Sequence, residues 1–371
     1  MQVPLLDLKA QYRALREPIL EAIDQTLASG AWVLGPKVAE FEKQIAAKVS
    51  ANHGIGVASG TDALLLSIKS LQCKPGDEVI APAFTFFATA GAIVNAGCKP
   101  VFVDIEQDSF NMNPSALDAA ITDRTIAAIP VHLFGQSANM DPILDICKNK
   151  NIPVIEDAAQ SIGGTYKNQK VGSMGETACF SFYPTKNLGG AGDGGMITTN
   201  NSELDERIRV LRVHGAKPKY YSRVVGFNSR LDPVQAAMLQ VKLEHLDGWA
   251  AERQKNARAY DEAFASIDGI ESPKHVVEGE HVYNQYTIRV ERGSRDDLQS
   301  HLKEMNIGNE IYYPYPLHLL PAFADLGHKE GDLPVSEHSA KVALSLPIFA
   351  EMNEDQQAYV IETVRNWAAK Q

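Results

Sequence analysis

Between residues 55 and 199 the chain repeats one pattern, a short apolar run followed by a longer stretch with helical spacing. The runs are Ile55–Ala58, Val79–Ala81, Val101–Ile105, Ile126–Val131, Val154–Glu156, Ala178–Phe182 and Met196–Thr198. Stretches such as Asp62–Leu71, Thr85–Ala96 and Asp141–Lys150 separate most of them. Strands that are apolar along their whole length need cover on both faces. The pattern therefore predicts an α/β fold with a mainly parallel sheet sandwiched by helices. Two helices should precede it. One carries Leu8, Tyr12, Leu15, Ile19, Ile23 and Leu27, and the other starts near Pro36. After about Asn228 the character changes. A long helical pattern from Asp232 to about Phe264 leads to a strand at Gln285–Val290, a helix at Arg295–Met305, a Tyr/Pro-rich segment and two last helices. This reads as a large domain over 1–245 and a smaller α+β C-terminal domain over 246–371.

Bulk properties exclude several classes. The formal charge of −11 over 371 residues disfavours nonspecific binding to nucleic acid. The cysteines Cys73, Cys98, Cys147 and Cys179 are far apart, which speaks against a zinc ribbon or a disulfide framework and for reduced thiols. No run is apolar for long enough to span a bilayer, and the first residues lack a signal-peptide pattern. The expected location is the cytoplasm, with no metal and no membrane partner.

In an open parallel sheet, ligands bind beyond the carboxyl ends of the strands. Three such ends carry suggestive residues. Ser59-Gly60-Thr61-Asp62 follows the first run and opens a helix, where free backbone N–H groups hold phosphate. The ordinary alternative is a plain N-cap. Asp157 follows the Val154–Glu156 run, and it too has a capping alternative. Lys186 follows Ala178–Phe182 in an apolar and glycine-rich setting. Poor solvation would make its amine a nucleophile, whereas a lone lysine in a loop is more often a surface group. Gly190-x-Gly192-x-x-Gly195 imitates a dinucleotide fingerprint but precedes a strand instead of following one, so it is set aside. Taken together, a phosphate cradle, a carboxylate and an activated lysine are what pyridoxal 5'-phosphate (PLP) requires.

The sequence also resembles the DegT/StrS-type nucleotide-sugar aminotransferases, and does so over nearly the whole chain. The resemblance rests on Gly60-Thr61-Asp62-Ala63-Leu64, Pro75-Gly76-Asp77-Glu78-Val79-Ile80, Glu156-Asp157-Ala158-Ala159-Gln160, Ser181-Phe182-Tyr183-Pro184-Thr185-Lys186-Asn187 and Gly226-Phe227-Asn228-Ser229-Arg230-Leu231-Asp232. It implies a fold-type-I PLP-transferase in which Lys186 bonds the cofactor and serves as general acid/base. Asp157 would pair with the pyridine nitrogen and Gln160 would lie near the ring hydroxyl. Gly60, Thr61 and Ser181 would hold the phosphate. Phe86 would stack on the ring, unless it is a core aromatic. Asn228 would reach the phosphate of the neighbouring subunit's cofactor, which implies a homodimer with shared active sites. Glutamate would be the amino donor and a nucleotide-linked keto-sugar the acceptor, with amination at C-3. A dTDP-linked 3-keto-6-deoxyhexose and a UDP-linked 3-keto-glucuronate both fit. Tyr313 and His318 either line the sugar pocket or pack the domains. Arg230 either binds an anionic group or fixes its loop. The alternatives are a dehydratase on the same cofactor, which Lys186 argues against, and a non-enzymatic sugar-responsive regulator.

Overall fold

A computed structural model describes residues 1–371. The strands are β1 (His53–Val57), β2 (Glu78–Pro82), β3 (Lys99–Val103), β4 (Thr125–Ala128), β5 (Ile155–Asp157), a small hairpin of β6 (Thr165–Tyr166) and β7 (Gln169–Lys170), β8 (Thr177–Ser181), β9 (Gly195–Thr199), β10 (Ile270–Glu271), β11 (Tyr286–Val290) and β12 (Ala343–Leu346). The helices are α1 (Leu8–Ala28), α2 (Pro36–Lys48), α3 (Gly60–Ser70), α4 (Phe87–Asn95), α5 (Pro114–Ala120), α6 (Met140–Asn149), α7 (Ser202–Leu211), α8 (Pro233–Leu243), α9 (Leu246–Phe264), α10 (Arg295–Glu304), α11 (Pro334–Val342) and α12 (Glu354–Ala368).

The main sheet runs β3-β2-β4, then β5-β8-β9-β1, with parallel bridges Ala128–Val154 and Val131–Asp157 joining the two parts. Only β9 runs antiparallel, between β1 and β8. Every residue of β2 and β9 is buried, as expected where helices cover both faces of a sheet. Each apolar run of the sequence became a strand to within a few residues. Local chemistry starts the helices where expected. Ser59 Oγ accepts from Asp62 N at the head of α3, and Pro36 opens α2, where its missing N–H costs nothing.

Two expectations need correction. The long helix from Asp232 to Phe264 is two helices that break at Glu244–His245. Ala236 and Leu239 of α8 belong to the core of the large domain, whereas Ala257, Tyr260 and Phe264 of α9 belong to the C-terminal core. The chain turns where the core it must face changes. The second correction is β12, which lies between the two final helices and pairs with β11. Its four residues follow directly on α11, so the apolar pattern gave no break. The C-terminal core also recruits Val3, whose N–H donates to Asn306 O and whose carbonyl accepts from Gly308 N. The first residues therefore cross the expected boundary at 245.

Candidate active site

A cavity of about 380 Å³ opens at the carboxyl ends of the parallel strands. Successive strand ends supply its wall: Ser59, Gly60 and Thr61 after β1, Thr85 and Phe86 after β2, Asp157 and Gln160 after β5, and Ser181 and Lys186 at and beyond the end of β8. Gln285, Tyr312 and Tyr313 close it from the C-terminal domain. A larger and more open depression of about 750 Å³ lies between α6, Ser173–Glu176 and Asn200–Asn201, but it gathers no comparable chemistry.

At one end of the cavity, α3 presents the N–H groups of Gly60 and Thr61, which lie too early in the helix to have partners within it. Gly60 must be glycine, because a Cβ there would sit 2.7 Å from Ser181 Cβ. That close approach sets the Ser181 hydroxyl beside the helix N-terminus, where charge and donors both favour a phosphate.

At another wall lies Asp157, nearly fully buried. Oδ2 accepts from the Thr89 hydroxyl at 2.8 Å and Oδ1 from Ala159 N at 3.3 Å. Burial pushes its carboxyl above the ordinary value, although Thr89, Ala159 and the charge of Lys186 work the other way. Asp157 makes no salt bridge to any side chain, so a cation in the cavity would relieve its desolvation.

Lys186 sits in a turn closed by its own N–H donating to Tyr183 O. Burial lowers its amine to about 8, against the opposing pull of Asp157. An amine of that basicity is neutral often enough near neutral pH to attack a carbonyl. Beside it, Asn187 Nδ2 donates to Val282 O and ties the lysine loop to the C-terminal domain. Gln160 bridges in the same way. Its Oε1 accepts from Phe134 N at 2.6 Å and its Nε2 donates to Tyr313 Oη at 2.9 Å.

The structure thus brings together Ser59, Gly60, Thr61, Phe86, Asp157, Gln160, Ser181, Lys186 and Tyr313. Phe86 is 61% exposed, on the cavity wall and not in the core. Three residues lie elsewhere. His318 does not line the cavity; it is buried, with Nε2 3.1 Å from Glu337 Oε1. Arg230 is half-buried outside the cavity, and Asn228 is exposed on a segment bridged to Val213. The sequence reading missed Thr85, Thr89, Gln285 and Tyr312. A Thr-x-x-x-Thr spacing at the start of α4 is the one trace of the first two, and nothing local marks Gln285.

This donor set fits pyridoxal phosphate. Unpartnered helix N–H groups with a hydroxyl suit the phosphate, an uncompensated buried carboxylate suits a protonated ring nitrogen, and a weakly basic lysine suits the aldehyde.

Comparison with known proteins bears on the same point. The family described as DegT/DnrJ/EryC1/StrS aminotransferases matches residues 13–365. The chain is 52% identical over 366 residues to a pleiotropic regulatory protein of Geobacillus stearothermophilus, covering 98% of each chain. It is 42% identical to the dTDP-3-amino-3,4,6-trideoxy-alpha-D-glucose transaminase of Streptomyces venezuelae, covering 100% of this chain and 97% of that one. It is 43% identical to the UDP-2-acetamido-2-deoxy-3-oxo-D-glucuronate aminotransferase of Pseudomonas aeruginosa, covering 93% and 95%. Among solved structures, S. venezuelae DesV in complex with a ketimine intermediate superposes with a TM-score of 0.96 at 42% identity, covering 99% and 98%. Bacillus subtilis NtdA with bound cofactor PMP superposes with a TM-score of 0.91 at 30% identity, covering 100% and 86%. The chain belongs to the DegT/DnrJ/EryC1/StrS aminotransferase family.

Proposed function

We propose that this protein is a PLP-dependent aminotransferase that moves an amino group from glutamate to C-3 of a nucleotide-linked keto-sugar. The observation that carries the reading is the meeting of Lys186, its amine lowered to about 8, with a buried carboxylate and an open helix N-terminus in one cavity. Relatives named for dTDP-linked and UDP-linked 3-amino sugars support the substrate class.

Each residue then has a task. Gly60, Thr61 and Ser181 hold the phosphate, with Ser59 capping α3 behind them. Asp157 would keep the ring nitrogen protonated, and Gln160 and Phe86, on the same cavity wall, would meet the ring. Bound there, the cofactor supplies an electron sink that lets nitrogen leave one carbon and join another. Lys186 would hold the cofactor through its Nζ, and that nitrogen, when free, would take a proton from the substrate carbon and return it. Gln285, Tyr312 and Tyr313 form the wall that an incoming sugar would meet, while His318, paired with Glu337, packs the C-terminal domain.

Asn228 lies off the protomer's own cavity, which accords with service to a second subunit in a homodimer. An exposed apolar surface supports that assembly. Trp32 and Val33 are exposed in one segment, and in another, 220–225, Tyr220 is 91% and Val225 92% exposed. No helix is long and apolar enough to cross a membrane, and the four cysteines are all free; we assign the protein to the cytoplasm.

The likeness to a pleiotropic regulatory protein favours a second reading, a regulatory role such as sensing on the same fold. One assay separates the two. Glutamate should discharge the visible band of the PLP-loaded protein, and a 3-keto nucleotide-sugar should restore it where the free sugar does not. A stable band in the presence of glutamate would remove the glutamate-dependent reading and favour sensing, dehydration or another donor.

A further inference from the structure

Thr85, just ahead of α4, and Thr89, in its first turn, line up two buried hydroxyls that end on Asp157. Thr89 is fully buried and Thr85 is 3% exposed. Thr89 Oγ1 lies 2.8 Å from Asp157 Oδ2 and 3.2 Å from Thr85 Oγ1. A hydroxyl has one proton to give, and an ionised carboxylate only accepts. The Thr89 proton therefore goes to Asp157, and the Thr85 proton must go to Thr89. The chain Thr85 to Thr89 to Asp157 runs in one direction. Thr85 also lines the cavity, so the hydroxyl it shows a ligand offers lone pairs and no proton.

Other groups near Asp157 do not replace this chain. Ala159 N supplies the single bond to Oδ1. Lys186 and His132 act on the carboxylate through their charge, and Tyr313 and Cys179 feel its charge in turn. None of these four side chains donates a hydrogen bond to it. The His132 ring is occupied with Ala138 N and Glu156. Glu156 itself is turned to His132, Gly172, Met174 and Gly175. Thr89 is thus the one side chain that fixes the Asp157 rotamer. It is also the one that stabilises the carboxylate as an anion in a site where burial favours the acid. The same segment carries Phe86 on the cavity wall, so ring cover and anion support share one stretch of backbone.

We propose that Thr89, oriented by Thr85, is a positioning residue that holds Asp157 ionised and facing the cofactor ring nitrogen. The proposal rests on the reading of the cavity as a PLP site. Without the Thr89 proton, Asp157 takes up a proton more readily and the ring nitrogen carries less positive charge. The nitrogen linked to Lys186 then keeps its own proton to higher pH.

The test uses Thr89→Val, which keeps the shape, Thr89→Ser, which keeps the hydroxyl, and Thr85→Val. The readouts are the PLP dissociation constant, the pH midpoint of the visible band and the melting temperature of the apoprotein. Loss of a hydrogen bond to a charged group should weaken PLP binding about tenfold or more in Thr89→Val. Its midpoint should move upward. Thr85→Val should shift the midpoint less, in the same direction, and Thr89→Ser should stay close to the parent. A wild-type affinity and midpoint in Thr89→Val would overturn the proposal. So would a Thr89→Ser variant as impaired as the valine, because packing would then be the cause. If Thr89→Val does not fold, a wild-type midpoint in Thr85→Val overturns it instead. Failure of the parent protein to bind PLP would refute the cofactor reading itself, an outcome distinct from any failure of the threonines.

Discussion

Lys186 gives the residue-scale account its pH dependence. Its amine has an ordinary value of 10.5 and is lowered to about 8 by burial. Below about 8 the folded and unfolded chains both hold the proton, and the buried charge costs stability. Between about 8 and 10.5 the folded state releases a proton that the unfolded state keeps, so this residue's contribution to stability rises with pH. The amine also becomes nucleophilic across the lower part of that window. PLP uptake by the apoprotein, followed by visible absorbance, should accelerate as pH passes through about 8 and then level off. A rate that still climbed toward 10.5 would mean the lysine is ordinarily solvated. The positions of Lys186 and Asp157 at the cavity were legible in the sequence because Asp157 directly follows an apolar run and Lys186 lies four residues beyond another, at strand ends where ligands bind. Thr89 and Gln285 were not legible. A buried threonine inside an apolar helix and an amide ahead of a strand are common, and Thr89 and Gln285 meet side chains 68 and 27 positions away, Asp157 and Tyr312. Gln160 and Asn228 carried no local signal either, and resemblance alone pointed to them.

At the scale of elements, the site depends on how closely α3 approaches β8. An alanine at Gly60 would place its Cβ against Ser181, with 2.7 Å to Cβ and 3.2 Å to Oγ. The clash involves a strand residue that cannot move far, so the helix N-terminus must back away from the phosphate position. Gly60→Ala should retain the fold and weaken PLP binding at least about tenfold, or ~1.4 kcal/mol, in an equilibrium titration. Unchanged affinity would show that α3 does not cradle the phosphate. Parallel strands and capped helices were readable because their signals are local, namely apolar runs and residues such as Ser59 and Pro36. The break at Glu244–His245 was not. It marks a change of core partner, and the helical spacing of apolar residues continues across it. β12 was hidden for a related reason. Four residues between two helices carry no periodicity of their own, and β12 becomes a strand because β11 pairs with it.

The whole molecule adds what a single protomer lacks. The cavity gathers the residues proposed to hold the cofactor, and the proposed homodimer would bring Asn228 to a second protomer's site. Replacing Val225, 92% exposed, with aspartate should lower the dimer fraction in sedimentation at micromolar protein and leave the fold intact. If the protein is already monomeric before substitution, the shared-site reading is wrong. The links from the lysine loop and Gln160 to the C-terminal segment were not legible in the sequence, because their partners are far apart along the chain, as in Asn187 with Val282 and Gln160 with Tyr313. The central claim is that the cavity lysine carries the cofactor, and one measurement reaches it directly. The PLP-loaded protein is reduced with borohydride, digested and analysed by mass spectrometry. The account predicts a phosphopyridoxyl adduct on the peptide that contains Lys186, and none in Lys186→Ala. Lys242, a buried residue, is the other lysine whose amine is lowered to about 8; an adduct there, or on no lysine, would contradict it.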